Sequence, residues 1–237
     1  MTIMNLSYIL SLIQLWKNQK GYSMTKFNSV LFDLDGTLTD SQPGIIDCAG
    51  YAFSTLGYPV PDTEELRTFI GPPLSLSFAR YGMDQDTVEK AITAFRARYA
   101  DTGKFKNEVY PGIEDLLHKL KDAGYHLFVA TSKPEPLAKE ILAHFHLDSY
   151  FDEIAGASLD RSRESKQAVI AYLLNKKEVR NPVMVGDTDF DVTGAAKHNI
   201  PCIAVTWGYG NIESMTKAGA YGIVSSMDEL FQLIHQD

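Results

Sequence analysis

The sequence has little cysteine and no long apolar run, and both absences restrict the kind of protein it encodes. Its two cysteines, Cys48 and Cys202, stand far apart and in no metal-ligand spacing, so neither a disulfide framework nor a cysteine-based zinc site is expected. No apolar stretch is long enough to cross a membrane. The apolar residues 5–16 lack the preceding basic residues and the cleavage site of a signal peptide. These absences predict a cytoplasmic protein with reduced thiols.

Positively charged residues are also fewer than negatively charged ones. The 237 residues include 22 Lys and Arg against 30 Asp and Glu, which gives a formal net charge of -8. Such a balance argues against nucleic acid or an anionic membrane as a partner. An anionic substrate would therefore have to be attracted by cations close to its own site. The composition leaves open whether the protein is a monomer or a homodimer.

What the sequence does contain, from residue 110 onward, is a regular alternation of strand-like and helix-like segments. Candidate strands are residues 126–130, 153–155, 182–185, 201–205 and 222–224, and candidate helices are residues 113–123, 135–145, 166–176, 192–198 and 227–235. This alternation predicts an α/β fold with a doubly wound parallel sheet.

Residues 41–107 show helical periodicity and no strand pattern. Candidate helices run from Pro43 to Gly57 and over residues 63–69, 73–81 and 84–102. Because this block follows the first strand directly, we expect an inserted all-helical cap domain over residues 41–107. Residues 24–40 and 108–237 would then form the core domain. Residues 1–23 form an N-terminal extension ahead of a second methionine, Met24. This extension is interpreted either as an upstream-extended start or added tail, or as a short amphipathic helix that binds a partner.

Two aspartates follow directly on the apolar residues 30–32, which read as a buried strand. Asp33 and Asp35 would thus lie at the carboxyl end of a core strand, where open α/β sheets bind their ligands. Two such close carboxylates repel each other unless a cation lies between them. A calcium-binding EF-hand is excluded, because Leu38 and Gly44 stand where that loop needs Gly and Glu. An ordinary aspartate-rich turn is the alternative.

A second acidic cluster follows the strand at residues 182–185, with Asp187, Asp189 and Asp191 spaced by two. The sixth and twelfth positions of this segment are Val192 and His198, so it is not an EF-hand loop either. Carboxylates after a buried strand are typical of a magnesium site with few protein ligands and several waters.

Two further segments point to an anion. Thr131 and Ser132 follow a strand, where a hydroxyl and free backbone N–H groups can hold phosphate oxygens, although this pair is more often a simple helix cap. Lys166 opens a predicted helix, where the helix dipole disfavours a cation. That placement indicates an anion nearby, the alternative being a solvated lysine.

These four segments, in this order, resemble the four motifs of the haloacid dehalogenase superfamily. Segments 68–74 and 109–112 are similar to its phosphoglycolate-phosphatase-like branch, and segments 155–160 and 207–210 to bacterial relatives described as 5′-nucleotidases. The resemblance implies a Rossmann-like core with a cap. It also implies that Asp33 is a nucleophile and Asp35 a general acid and base. An aspartate at position 35 indicates a phosphatase or phosphomutase.

The resemblance further implies a Mg²⁺ cofactor and a phosphate subsite. The expected metal ligands are Asp33, Asp35 through its carbonyl, and Asp187, with Asp191 positioning them. The expected phosphate ligands are Thr131, the Ser132 N–H and Lys166.

The expected substrate is a small phosphorylated metabolite, either phosphoglycolate or a nucleoside monophosphate. Its specificity would come from the cap, where Arg67, Gly71, Arg96 and Arg98 are the candidates. The alternatives are a phosphosugar mutase and a non-catalytic binding protein of the same superfamily. The latter would be expected to have lost a motif residue, and none is lost.

Overall fold

The computed structural model describes residues 27–160 and 162–235, so the predicted extension at residues 1–23 lies outside the described part. The strands of the described part are β1 (Ser29–Phe32), β2 (Thr39–Asp40), β3 (Glu108–Val109), β4 (His126–Pro134), β5 (Glu153–Ala157), β6 (Pro182–Gly186), β7 (Cys202–Val205) and β8 (Gly222–Val224).

Helices connect most of these strands. In chain order they are α1 (Gln42–Thr55), α2 (Thr63–Arg67), α3 (Leu74–Ala79), α4 (Gln85–Asp101), α5 (Ile113–Asp122), α6 (Glu135–His144), α7 (Lys166–Lys176), α8 (Asp189–Ala196), α9 (Ile212–Ala218) and α10 (Met227–His235). None of these described helices is long and apolar enough to cross a membrane.

Six parallel strands form the main sheet in the order β5-β4-β1-β6-β7-β8. Strand β1 lies inside the sheet between β4 and β6. The chain first builds the sheet outward on the β4 side and then returns to the β6 side, so the order reverses next to β1. The prediction of a doubly wound parallel sheet is therefore confirmed. The place beside β1 where the strand order reverses is the place where such folds bind their ligands.

Strand β1 is buried on both faces, as its apolar sequence predicts. Val30 and Phe32 pack into a core on one face, which α5, α6 and α10 cover with side chains such as Leu117. Leu31 points to the other face and packs with Met184 and residues of α7 and α8. The alternation follows from the two-residue period of a strand.

The helical segment, α1 to α4, leaves and re-enters the sheet region through two short strands. β2 and β3 pair antiparallel, with Thr39 opposite Val109 and Asp40 opposite Glu108. At two residues each, they are too short to produce a visible alternation, so the sequence does not predict them. The division into core and cap domains at residues 41 and 107 stays a prediction.

Three other elements differ from the sequence expectation. Strand β4 continues to Pro134 rather than residue 130. Helix α8 starts at Asp189 rather than residue 192, because Thr188 and Asp191 form a capping box ahead of the apolar residues. The sequence analysis does not predict helix α9. Met215 is the one buried side chain of this helix, so the helix has no apolar face that a sequence pattern would reveal. The remaining predicted elements occur within two residues of their expected ends.

Candidate active site

The predicted nucleophile Asp33 lies at the carboxyl end of the central strand. Its backbone N–H donates to the carbonyl of Val185, at 2.9 Å, which continues the pairing of β1 with β6. Its Oδ1 accepts from the backbone N–H of Leu34 at 2.7 Å and lies 2.7 Å from Lys166 Nζ. The carboxylate is thus held by the sheet edge and by one lysine while being buried.

The turn after β1 lies directly against the second acidic segment. Gly36 has a φ of 80°, and a Cβ at this position would stand 2.2 Å from Asp187 Oδ2. Only glycine therefore lets the turn come this close. The next residue, Thr37, donates its hydroxyl to Asp187 Oδ1 at 3.1 Å.

Three buried carboxylates converge at this point, and we call Asp33, Asp187 and Asp191 the acidic cluster. Asp33, Asp187 and Asp191 each offer an oxygen atom, and these atoms lie within 4.8 Å of one another. Lys166 supplies the one nearby cation that the described residues show, 2.7 Å from Asp33 and 2.8 Å from Asp191. Three carboxylates against one ammonium leave excess negative charge in a buried place. A divalent cation with a preference for oxygen ligands, such as Mg²⁺, fits this donor set.

The electrostatics of the cluster agree with that interpretation. Burial raises the pKa of Asp33 to about 6, although Lys166 opposes the shift. Burial also raises the pKa of Asp187 well above its usual range, and the Asp191 and Asp33 carboxylates add to the effect. For Lys166, burial alone would lower the pKa, but Asp191 and Asp33 outweigh it and the pKa lies above its usual range.

Asp191 takes part in the cluster through one oxygen. Its Oδ2 accepts from the backbone N–H of Thr188 at 3.0 Å and from its hydroxyl at 2.8 Å. Its Oδ1 faces Lys166 and has no other donor among the described residues. The sequence interpretation made Asp191 a positioning group, whereas the structure places its carboxylate so close to Asp33 and Asp187 that all three could hold one metal ion.

The carboxylate of Asp35 lies apart from this cluster and pairs with a lysine. Lys133 Nζ donates to both of its oxygens, at 2.8 and 2.7 Å. The ammonium also lies 4.7 Å from the ring centroid of Tyr99, which belongs to α4. Burial alone would lower the pKa of Lys133, but the ion pair with Asp35 outweighs it and holds the pKa above its usual range. Sequence reasoning missed Lys133, because a lysine before a helix carries no signal that it is buried.

The predicted phosphate ligands lie along one edge. Thr131 is buried, and its hydroxyl accepts from the backbone N–H of Lys133 at 3.2 Å. Ser132 is half-buried beside it. Lys166 reaches the same edge from the start of α7, because its ammonium donates to the carbonyl of Ala130 at 2.9 Å.

A cleft opens between this edge and the helical segment. Its apolar wall comes mainly from the helical segment and α6, with Ile45, Phe69, Leu74, Ile92, Phe95 and Leu137. Asp33, Asp35, Thr131, Ser132 and Lys133 line its sheet side. Two of the four candidate specificity residues, Gly71 and Arg96, also line the cleft.

The other two candidates are engaged elsewhere. Arg67 is exposed and pairs with Glu64 at 2.5 Å. Arg98 donates to both oxygens of Asp47, at 2.8 and 3.1 Å, and its guanidinium lies over the ring of Tyr51. Neither arginine lines the cleft, so the structure brings one of the three candidate cap arginines to the site.

Comparison with known proteins places this geometry among hydrolases. Residues 30–205 match the family described as haloacid dehalogenase-like hydrolase. The crystal structure of a predicted phosphatase from Clostridium acetobutylicum superposes with a TM-score of 0.85 at 46% identity, covering 89% of this chain and 99% of that one.

Two curated relatives carry different names. A Mycobacterium tuberculosis protein named tyrosine-protein kinase PtkA is 42% identical over 205 residues, which cover 85% of this chain and 70% of that protein. A 5′-nucleotidase of Pseudomonas aeruginosa is 39% identical over 193 residues, covering 80% of this chain and 87% of that enzyme.

Proposed function

Because this chain belongs to the haloacid dehalogenase-like hydrolases, we propose that it is a magnesium-dependent phosphatase that acts on a small phosphorylated metabolite. The relatives named phosphatase or 5′-nucleotidase support the enzyme class. The observation that carries the proposal is the position of Asp33, whose buried carboxylate meets Lys166 and two further carboxylates and also borders the cleft.

The proposed first step is attack by an Asp33 carboxylate oxygen on the phosphorus of the substrate. A bond forms between that oxygen and phosphorus, and the bond to the leaving oxygen breaks. Asp35 delivers a proton to the leaving oxygen as it departs. The product alcohol leaves, and an aspartyl phosphate remains on Asp33.

The second step is hydrolysis of the aspartyl phosphate. Asp35, now ionised, takes a proton from water as the water oxygen attacks phosphorus. The acyl–phosphate bond breaks, inorganic phosphate leaves and the Asp33 carboxylate is restored. Both proton transfers balance, since Asp35 returns to the protonation state in which it began.

Charge on the transferred group has to be stabilised throughout. Lys166 offers an ammonium beside Asp33, and Thr131 and the Ser132 N–H offer hydrogen-bond donors along the same edge. Mg²⁺ held by Asp33, Asp187 and Asp191, or by the Asp35 carbonyl in place of Asp191, would supply positive charge for the phosphoryl oxygens.

The side chains that line the cleft indicate which substrates fit. The apolar side chains of the cleft suit a leaving group with a flat or apolar part, as in a nucleoside monophosphate. Arg96 suits a second anion, as in phosphoglycolate. We therefore retain both metabolites as candidates, and the relatives named 5′-nucleotidase and phosphoglycolate phosphatase support the same pair.

A second candidate function is transfer of the phosphoryl group to a tyrosine of a protein. The observation that favours it is the 42% identity to the protein named tyrosine-protein kinase. Such a reaction would need a nucleoside triphosphate donor and an acceptor hydroxyl in place of water.

The test is to incubate the purified chain with an aryl phosphate, phosphoglycolate and a nucleoside monophosphate. We expect hydrolysis that EDTA abolishes and Mg²⁺ restores, and an Asp33→Asn variant that is slower by roughly 10⁴-fold or more. Full activity in EDTA, or a trapped phosphate on another residue, would contradict the proposal. Transfer of label from a triphosphate to a tyrosine peptide, without hydrolysis of the monoesters, would favour the second candidate.

A further inference from the structure

The helical segment is joined to the sheet region at two chain crossings. They are the paired strands β2 and β3, and the backbone N–H of Tyr110 continues the ladder by donating to the carbonyl of Leu38 at 3.1 Å. Any rotation of the helical segment relative to the sheet has to be absorbed at these crossings. We call the pair β2 and β3 the hinge.

One loop outside the hinge contacts both the hinge and the acidic cluster. It follows β7 and contains Trp207, Gly208, Tyr209 and Gly210, which no step of the proposed reaction uses. The Trp207 indole N–H donates to the carbonyl of Thr37 at 3.1 Å, so the loop is hydrogen-bonded to the turn that follows β1.

Tyr209 makes three hydrogen bonds, one to Asp187 and two to residues at the hinge and the start of α1. Its backbone N–H donates to Asp187 Oδ2 at 2.9 Å. Its hydroxyl donates to Asp40 Oδ1 at 2.6 Å and accepts from the backbone N–H of Gln42 at 3.0 Å. Asp40 ends the first hinge strand and Gln42 begins α1. A single half-buried residue therefore connects the acidic cluster to the hinge.

The glycines on either side of Tyr209 make this double contact sterically feasible. A Cβ on Gly210 would stand 1.7 Å from the Asp187 carbonyl oxygen, and one on Gly208 would stand 2.4 Å from Asp187 Cβ. The opposing atoms belong to a buried aspartate and cannot move aside cheaply. Both glycines are thus required for the loop to lie against Asp187.

From these contacts we infer that Tyr209 is a positioning residue that couples the Asp187 side chain to the hinge, so that occupation of the acidic cluster by a divalent cation stiffens the hinge. A cation bound to Asp187 fixes that carboxylate. The carboxylate fixes the Tyr209 backbone, and the Tyr209 hydroxyl then holds Asp40 and the first turn of α1. The kinetic part of this inference rests on the proposed function, whereas the coupling itself does not.

The matched variants are Tyr209→Phe and Tyr125→Phe. Tyr209→Phe removes the hydroxyl and keeps the backbone N–H that contacts Asp187. Tyr125→Phe removes another tyrosine hydroxyl, a buried one that donates to the carbonyl of Ile234 at 3.2 Å. Tyr125 precedes His126, which pairs with Ser29 at the start of β1, whereas the hinge follows the other end of that strand. The second variant therefore measures the general cost of losing such a bond.

The primary readout is amide hydrogen exchange with Mg²⁺ as the only added ligand. In the wild-type chain and in Tyr125→Phe, Mg²⁺ should slow exchange at Asp40 and Gln42. In Tyr209→Phe, this slowing should fall by roughly 5-fold or more, as expected for loss of a hydrogen bond to a charged group. Equal slowing in Tyr209→Phe, or no slowing in the wild-type chain, would overturn the inference.

Kinetics provide an independent readout. Tyr209→Phe should lower kcat/KM on an aryl phosphate by roughly 10-fold, and Tyr125→Phe should leave it unchanged. Asp40→Ala removes the bond to the Tyr209 hydroxyl and also the bond that Asp40 Oδ1 accepts from the Gln42 N–H at 3.1 Å, so it should cost at least as much. The double variant should be no worse than Asp40→Ala alone, because Tyr209→Phe then has no link left to remove. Additive losses would overturn the inference.

The two proposals fail separately. A wild-type chain that hydrolyses no monoester with Mg²⁺ would refute the proposed function, and the exchange experiment would still decide the coupling. A wild-type chain that is active but shows equal exchange in Tyr209→Phe would refute the coupling alone.

Discussion

At the scale of single residues, this site is distinguished by buried charges that are only partly neutralised. Lys166 lies beside two carboxylates at once, while Lys133 pairs with a single carboxylate, that of Asp35. The two lysines thus divide the site into a half around Asp187, where negative charge is in excess, and a Lys133–Asp35 pair that faces the cleft. The division matches the two chemical tasks proposed for Asp33 and Asp35.

Lys133 should be required for turnover, because it holds both oxygens of Asp35. We expect Lys133→Met to lower kcat by roughly 10²-fold or more, as for the loss of help to a general acid. Lys133→Arg should recover part of the loss, since a guanidinium also pairs with a carboxylate. The measurement is steady-state hydrolysis of an aryl phosphate. Wild-type kcat in Lys133→Met would show that Asp35 needs no partner.

Arg96 and Arg98 should behave differently although they lie two residues apart. Arg96 lines the cleft, so Arg96→Ala should cost roughly 1.5–3 kcal/mol in kcat/KM for a substrate with a second anion. An uncharged aryl phosphate should change much less. Arg98→Ala should affect the substrates equally, because its partner is Asp47. A substrate panel with both variants checks this, and equal losses for Arg96→Ala would place specificity elsewhere.

At the scale of elements, helix α7 positions Lys166 at its first residue. The helix is capped by Ser165, whose hydroxyl accepts from the backbone N–H of Ala168 at 3.2 Å. This cap offsets the unsatisfied N–H groups of the first turn. The strand ends position the carboxylates in a similar way, since β1 and β6 end directly before Asp33 and Asp187.

Loss of this cap should weaken the fold measurably. We expect Ser165→Ala to lower the free energy of unfolding by roughly 0.5–2 kcal/mol. Ser165→Asn, which retains a capping oxygen, should stay within a few tenths of the wild-type value. Urea denaturation followed by circular dichroism checks both variants. An equally large loss in Ser165→Asn would mean that the serine acts through some contact other than its cap.

At the scale of the whole molecule, we expect stability and cation binding to be linked through the acidic cluster. Burial raises the pKa of Asp33 to about 6 from a usual value of 3.8. Between these values the native state without a cation binds more protons than the unfolded state. The contribution of Asp33 to stability is therefore present at low pH and is lost as the pH rises through about 6.

If the proposed Mg²⁺ site is correct, Mg²⁺ should counteract this loss, because a metal ion binds carboxylates in their ionised form. We expect the Mg²⁺-induced rise in Tm to be small near about pH 5 and larger by roughly 5 °C near about pH 7.5. Asp187→Asn, which removes one carboxylate charge from the cluster, should abolish most of the effect. Thermal melts with and without Mg²⁺ across this pH range test the linkage. A Tm rise that does not depend on pH would argue against a cation at these aspartates.

The sequence by itself determined the fold class and the places where chemistry is expected. Apolar runs of strand length and helical periods are local patterns, so the alternation over residues 110–237 is sufficient to predict the parallel sheet. Because parallel strands end at a common edge, the strand pattern alone predicts that the aspartates after β1 and β6 meet there.

The tertiary structure decided which side chains actually face one another. Lys133 with Asp35, Tyr209 with Asp40 and Asp191 with Lys166 are each separated by many residues, and no local pattern encodes such distances. Arg67 and Arg98 are cations in the sequence, but nearby carboxylates engage them. Burial and pairing depend on how the helices and loops pack on the sheet and on one another, and that packing is a property of the folded chain as a whole.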